Sequence, residues 1–337
     1  MAKSEKYSQL FNDFNNLNVL IIGDVMIDAY LWGNVERISP EAPVPIVSVT
    51  KREERLGGAA NVALNIKSMG ANPILCSVIG NDEKGKTFTQ LLKKLEMETI
   101  GIIKSKNRIT TTKFRVIGNK NHMLRVDEED SSDLSLSDID KLVKNLRSII
   151  KSKKVDIIIL QDYDKGILTS KLIPRVIKLA VDNQIPISAD PKRKNFNSYK
   201  NITLFKPNLK ELKEGSKIDF NHEDIREMNQ VVLKLQDTQN IKNALITLSE
   251  DGIYISAKAG KQRFIHSIPA HRRAISDVSG AGDTVISVAS LCLAMNCNPF
   301  EIASISNLAG GLVCEEVGVV PVNKEKLLSE VVKLPIP

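Results

Sequence analysis

The chain has 337 residues, of which 42% are apolar, 26% charged and 4% aromatic. This usage excludes wholesale disorder, and the length suits one large α/β domain or one domain with an appendage. The 47 basic and 40 acidic residues give a net charge of +7. That excess is spread along the chain, which fits a solvated surface first and small anionic ligands second; the scarcity of aromatics argues against a base-stacking nucleic-acid partner.

The opening MAKSEKYSQLFNDFNN has no apolar run, so a secretory signal is not expected, and charges interrupt every apolar stretch before it could span a bilayer. Cys76, Cys292, Cys297 and Cys314 form no CxxC pair and read as buried thiols, so a cytoplasmic protein without a membrane partner is expected. NVLII (18–22) predicts a strand and GDVMID (23–28) follows it. Residues 33–50 hold Pro40, Pro43 and Pro45 and then PIVSV, an edge-strand pattern. GGAAN (57–61) opens a helix carrying Ala59, Val62, Ala63, Ile66 and Met69 at helical spacing, and PILCSVI (73–79) is the next strand. Residues 110–127 read as two extended runs about a turn at Gly118 and Asn119. With 33–52 they suggest a small β appendage. A helix is expected over 137–150, with Ser137 and Asp140 placed like a capping box. VDIIIL (155–160), IPISA, ITLF and ALITL are further strands separated by helical segments, and EKLLSEVVKL reads as a closing amphipathic helix. Alternation of this kind implies a parallel sheet covered on both faces.

Polar clusters recur where strands end: GDVMID, QDYDKG (161–166), ADPKRK (189–194) and FKPNLKEL (205–212). Open α/β sheets bind ligands at that edge. DVSGAGDTV (277–285) is a glycine-rich turn running into a helix, an anion site in which Gly280 and Gly282 allow close approach of a phosphate. Asp283 is either a base beside a phosphoryl group or an acid that favours the helix dipole. Asn208 and Glu211 suit a hydrated Mg²⁺ or a helix cap with its N3 partner, and Lys206 suits a phosphate or solvent. Asp24 and Asp28 could accept sugar hydroxyls and Asn61 could serve a polyol; ordinary turn chemistry is the alternative. Lys113 and Arg115 share a strand face, as do Arg125 and Asp127, which suits a substrate phosphate or a solvated surface. The four histidines lack partners at triad or metal spacing.

DVSGAGD, GGAAN and NLKE (208–211) resemble the C-terminal signature, the glycine pair and the NxxE magnesium motif of the ribokinase (PfkB) carbohydrate kinases, over about residues 18–322. RISPEAPVP, QDYDKGIL and DPKRKNF are similar to a subgroup of that family acting on heptose 7-phosphate. The resemblance implies one ribokinase-like domain over 1–337: a Rossmann-like, mostly parallel sheet flanked by helices, with a β lid at about 33–52 and 110–127 and a homodimer built through the lids. It implies ATP and Mg²⁺ and leaves a monovalent cation open. Asp283 becomes the base and the amides of Gly280, Ala281 and Gly282 the anion hole. Lys206, Asn208, Leu209, Lys210 and Glu211 meet ATP, with Asn208 and Glu211 organising Mg²⁺ and Asn307 near the adenine. Asp28, Gly57, Gly58 and Asn61 hold the sugar; Asp190, Lys192, Lys113, Arg115 and Arg125 join the substrate side. The implied reaction moves the γ-phosphoryl group to O1 of D-glycero-β-D-manno-heptose 7-phosphate, toward ADP-heptose and lipopolysaccharide. Ser279 stands where Thr is commoner, and SNLAGG around Asn307 is less alanine-rich than the family pattern. No HxGH motif follows, so a separate nucleotidyltransferase chain is expected. The competing readings are a relative acting on a hexose phosphate or ribose, a nicotinamide dehydrogenase, for which GDVMID lacks GxGxxG, and a non-catalytic sugar-phosphate sensor.

Overall fold

The structure, a computed structural model, describes residues 3–260, 262–271 and 273–334. Alternate residues of the strand Asn18–Gly23 serve opposite cores: Val19 and Ile21 pack on one side, Leu20 and Ile22 on the other. Ile157 and Ile159 against Ile158 and Leu160 repeat the division one strand away. These strands read as unbroken apolar runs because both faces of their sheet are covered. The nine-stranded sheet runs in the order Gln262–Ile268, Ile253–Ala259, Asn243–Thr247, Leu204–Phe205, Ile187–Asp190, Ile157–Gln161, Asn18–Gly23, Asn72–Gly80, Ile102–Ser105. Its first two strands are antiparallel and the rest pair in parallel. The helices Ala59–Ser68, Ala281–Ala294 and Pro299–Val313 cover one face; Leu136–Ser152, Leu172–Asp182 and Ile225–Gln239 cover the other. No helix among the described residues is long and apolar enough to cross a membrane.

A second sheet of four strands runs in the order Pro45–Gly58, Val25–Ile38, Thr112–Gly118, Asn121–Glu128. Residues 33–52 and 110–127 fall largely within it. The strand Val25–Ile38 starts one residue after the main-sheet strand ends, so GDVMID is a passage between two sheets and Asp28 lies inside a strand. The hairpin turns on Asn119 and Lys120, both left-handed at φ 50° and 67°, while Gly118 closes the preceding strand. Two consecutive positive φ values match the right-handed twist of a two-residue hairpin, and Asn tolerates them best. The Asn119 amide also brackets Val35, accepting from its N–H at 3.1 Å and donating to its carbonyl at 3.0 Å. One face of this sheet leaves Leu124 and Val126 exposed; the opposite face carries Asp28, Arg115 and Arg125.

One cap differs from expectation. The helix begins at Leu136, and Ser135 rather than Ser137 is its cap, accepting from the Asp138 N–H at 3.1 Å. Starting there lets the buried Asp138 carboxylate also take the Ser105 hydroxyl at 2.8 Å, a bond a start two residues later would forgo.

Candidate active site

A cleft of about 510 Å³ opens along the carboxyl ends of Ile157–Gln161, Ile187–Asp190 and Asn243–Thr247 and is closed at one side by the helix Ala281–Ala294. The turn before that helix is fixed by Asp277, whose carboxylate accepts the amides of Ser279 at 2.9 Å and Gly318 at 3.1 Å. Gly280 is the N-cap at φ 82°, a conformation that disfavours a side chain. The following first-turn amides lack helical acceptors and aim positive dipole at the cleft. Ala281 is an exception within the expected trio, because its N–H donates to the Val278 carbonyl at 3.3 Å.

Asp283 is the third residue of the helix, but its carboxylate does not serve as a cap. Its oxygens accept from the Asn61 amide at 2.7 Å, the Gln161 amide at 3.2 Å and the Tyr163 hydroxyl at 2.5 Å. Burial pushes its pKa up to about 6; the Tyr163 and Asn61 hydrogen bonds pull the other way, Asp190 adds to the rise and Lys206 opposes it. Asp190 and Lys206 form a buried pair at 3.0 Å. Lys206, weighed between phosphate and solvent, is therefore neither solvated nor uncommitted. Asp190 Oδ1 is buried with no partner among the described residues.

Asn208 and Glu211 complete a reciprocal capping box: the Asn208 side chain accepts the Glu211 N–H at 2.8 Å, and Glu211 Oε2 accepts the Asn208 N–H at 2.9 Å. The other Glu211 oxygen pairs with the Lys192 ammonium. Burial alone would lower the Lys192 pKa, but Asp190 and Glu211 raise it above its ordinary value. Both motif residues line the cleft, as do Lys192 and Asn307, whose amide donates to the Pro269 carbonyl at 2.9 Å. Leu209 and Lys210, expected at the nucleotide, do not line it. Leu209 packs on the core behind the helix and Lys210 is exposed, because the helix that presents Glu211 turns its neighbours away.

On the sugar side, Gly57 and Gly58 are places of close approach: a Cβ on Gly57 would lie 2.4 Å from Asp28 Oδ2 and one on Gly58 2.4 Å from the Asp24 carbonyl. Asp24 is not free to bind a hydroxyl. Its carboxylate accepts the amides of Tyr163, Lys165 and Ile167 at 2.8, 3.2 and 2.9 Å and so builds the 162–167 loop. The sheet cations already have partners. Arg115 meets Asp28 at 2.5 Å, Lys113 lies 3.2 Å from Asp127 and 3.5 Å from Glu129, and Arg125 grips Asp127 through two bonds of 2.8 Å.

The family described as pfkB family carbohydrate kinase matches residues 16–326. This chain belongs to that family. It is a sugar kinase, an enzyme that uses ATP. It is 38% identical over 300 residues to the Bifunctional protein HldE of Sulfurimonas denitrificans, covering 89% of this chain and 61% of that one. With the Bifunctional protein HldE of Desulfatibacillum aliphaticivorans it shares 36% identity over 323 residues, 96% of this chain and 65% of the other. The chain thus spans less than two thirds of the length of these relatives. Among solved structures, phosphofructokinase-2 from Escherichia coli in complex with potassium superposes with a TM-score of 0.76 at 17% identity, covering 94% of this chain and 98% of that one. The ribokinase of Arabidopsis thaliana complexed with ribose and ATP gives 0.68 at 17% identity, covering 95% and 99%. The fold of this pfkB kinase is therefore the ribokinase-like α/β fold with its smaller sheet.

Sequence reasoning passed over several cleft residues. Gln161 and Tyr163 lay in a recognised polar cluster, but nothing local tied them to Asp283. His271 and Arg273 line the cleft as well; burial and the Arg273 charge lower the His271 pKa, and no motif marks either residue.

Proposed function

We propose that this kinase phosphorylates O1 of D-glycero-β-D-manno-heptose 7-phosphate, giving the 1,7-bisphosphate and ADP. The observation that carries the chemistry is the buried Asp283 carboxylate, held by side chains alone at the head of a helix whose amides face the cleft. Asp283 takes the hydroxyl proton as the sugar oxygen attacks; the first-turn amides, chiefly Gly280 and Gly282, steady the charge on the transferring group. Asn61, Gly57, Gly58 and Asp28 contact the sugar, and Asp190 and Lys192 border it.

The donor set fits a hydrated Mg²⁺. Among the described residues no group of three or more His, Cys, Asp or Glu side chains could hold a metal, so water and phosphate oxygens would complete the shell around Glu211 and Asn208. Bound there, the ion would supply charge neutralisation on the phosphates. Lys206 and Asn307 serve the nucleotide side.

The heptose reading is supported by similarity to HldE proteins over 89–96% of the chain. The small sheet is read as a lid, with Lys113, Arg115 and Arg125 exchanging carboxylate partners for the 7-phosphate. Exposed Leu124 and Val126 on its other face suit a homodimer. Conversion to ADP-heptose is a separate nucleotidyltransferase activity, and a kinase using ATP and a sugar phosphate is read as cytoplasmic. An ADP-release assay across sugars and sugar phosphates tests the assignment. Heptose 7-phosphate is expected to give the highest kcat/KM, with the bisphosphate identified by mass spectrometry. A hexose phosphate or ribose turned over faster would replace it.

A further inference from the structure

We infer that Tyr163 is a positioning residue for the base, and that its hydroxyl, together with the Gln161 amide, reserves one oxygen of Asp283 so that the other receives the substrate proton. This rests on Asp283 being the base and assigns the atoms of that step.

An ionised carboxylate offers about four lone-pair sites, two on each oxygen. Oδ1 receives two donors, Tyr163 Oη at 2.5 Å and Gln161 Nε2 at 3.2 Å. Oδ2 receives one, Asn61 Nδ2 at 2.7 Å. The vacant site is on Oδ2, the oxygen that Asn61 holds. The sugar hydroxyl therefore donates to Oδ2. On attack the O–H bond breaks and its electron pair goes into the new bond to the γ-phosphorus, the bond from that phosphorus to the bridging oxygen breaks with its electron pair leaving on ADP, and the proton stays on Oδ2. Oδ1 becomes the carbonyl oxygen of a neutral acid, still held by Tyr163 and Gln161.

Tyr163 is fixed from several directions. Its N–H is bonded to Asp24, and the Lys192 ammonium lies 5.8 Å from the centre of its ring. Lys192 is itself tied to Glu211. Asp24 thus anchors the Tyr163 backbone, and the ring lies against an ammonium that is itself held by the capping-box residue Glu211. The charged and titratable groups acting on Asp283 come from several neighbouring elements: Asp190 at the end of one strand and Lys192 beyond it, Lys206 after the next strand, and Tyr163 from the loop. Tyr163 is the one that lowers the carboxyl pKa through a direct hydrogen bond.

Tyr163→Phe removes one oxygen and keeps the ring. The expected result is a fall in kcat of about tenfold, little change in KM for ATP, and a shift of the acid limb of kcat/KM to higher pH by roughly one unit. Gln161→Leu, the other Oδ1 donor, should move the same limb in the same direction by less, its bond being longer. A thermal melt and ATP titration of each variant establish that it is folded. If Asp283→Asn is inactive while folded Tyr163→Phe keeps the wild-type kcat and pH profile, this inference is overturned and the base assignment stands. If Asp283→Asn stays active, the base assignment itself fails. A kcat loss in Tyr163→Phe with an unmoved acid limb would also overturn the inference, since that is what packing loss alone produces.

Discussion

The floor of the cleft and the inner face of the small sheet both hold carboxylates within hydrogen-bond reach of their partners, and they treat them in opposite ways. Asp283 is buried under three uncharged donors and its pKa rises to about 6. Asp127, on the exposed strand, is gripped by Arg125 and approached by Lys113, and its pKa falls to about 2 despite some burial. Neutral donors orient a carboxylate without quenching its basicity; cations quench it. The first arrangement keeps a group that can accept a proton. The second holds a carboxylate ionised between cations, and the half-exposed Arg125 pair within it is worth little to stability.

The most severe way to break this contrast is Asp283→Asn. We expect kcat to fall by about 10²–10⁴-fold, and near-wild-type turnover would remove the base. The same variant should melt higher at neutral pH. A carboxyl whose folded pKa lies above its unfolded value of 3.8 is stabilising while protonated and loses that contribution as pH rises through about 6. Asn avoids the loss, and Asn61, whose Oδ1 is buried without a partner, can turn its amide to accept the new N–H. The difference in melting temperature should vanish below about pH 4; a gap that persists there would contradict the sign.

For the wild type, kcat/KM should fall about tenfold per pH unit below pH 6, as Asp283 takes up its proton. A flat profile down to pH 5 would mean that the base is another group. On the sheet, changing both Lys113 and Arg115 to Ala should raise KM for the sugar phosphate about tenfold and leave KM for ATP nearly unchanged. Equal effects on both substrates would assign the pair to the sheet's own stability. The mildest test is Glu211→Gln. It should raise the Mg²⁺ midpoint by a few-fold while costing about 1 kcal/mol or less of stability, because Gln can still close the capping box. An unchanged midpoint would leave Glu211 with its cap and its Lys192 partner.

Much of the main sheet was legible because its signals are local. Val19 to Ile22 and Ile157 to Leu160 announce buried strands by composition, and Ala59, Val62, Ala63 and Ile66 announce a helix by spacing. The glycine turn at 280 and the capping pair at 208 and 211 are likewise short-range. What escaped is long-range. Tyr163 and Asp283 are 120 positions apart, and their bond depends on Asp24, 139 positions before Tyr163, folding the loop. The pairing of Lys113 with Asp127 is set by cross-strand register, which spacing within one strand does not reveal. The long strand Val25–Ile38 was obscured because its register shifts at Trp32/Gly33 and Val35/Arg37 interrupt any simple alternation.

The single-residue passage at Asp24 has a mechanical meaning. Its N–H bonds to the Gln161 carbonyl at 3.2 Å, its carbonyl takes the Ala59 N–H at 2.8 Å, and its carboxylate clasps the loop that carries Tyr163. Asp24 is then a shared anchor: one residue holds both the strand that enters the small sheet and the loop that brings the Tyr163 oxygen to Asp283.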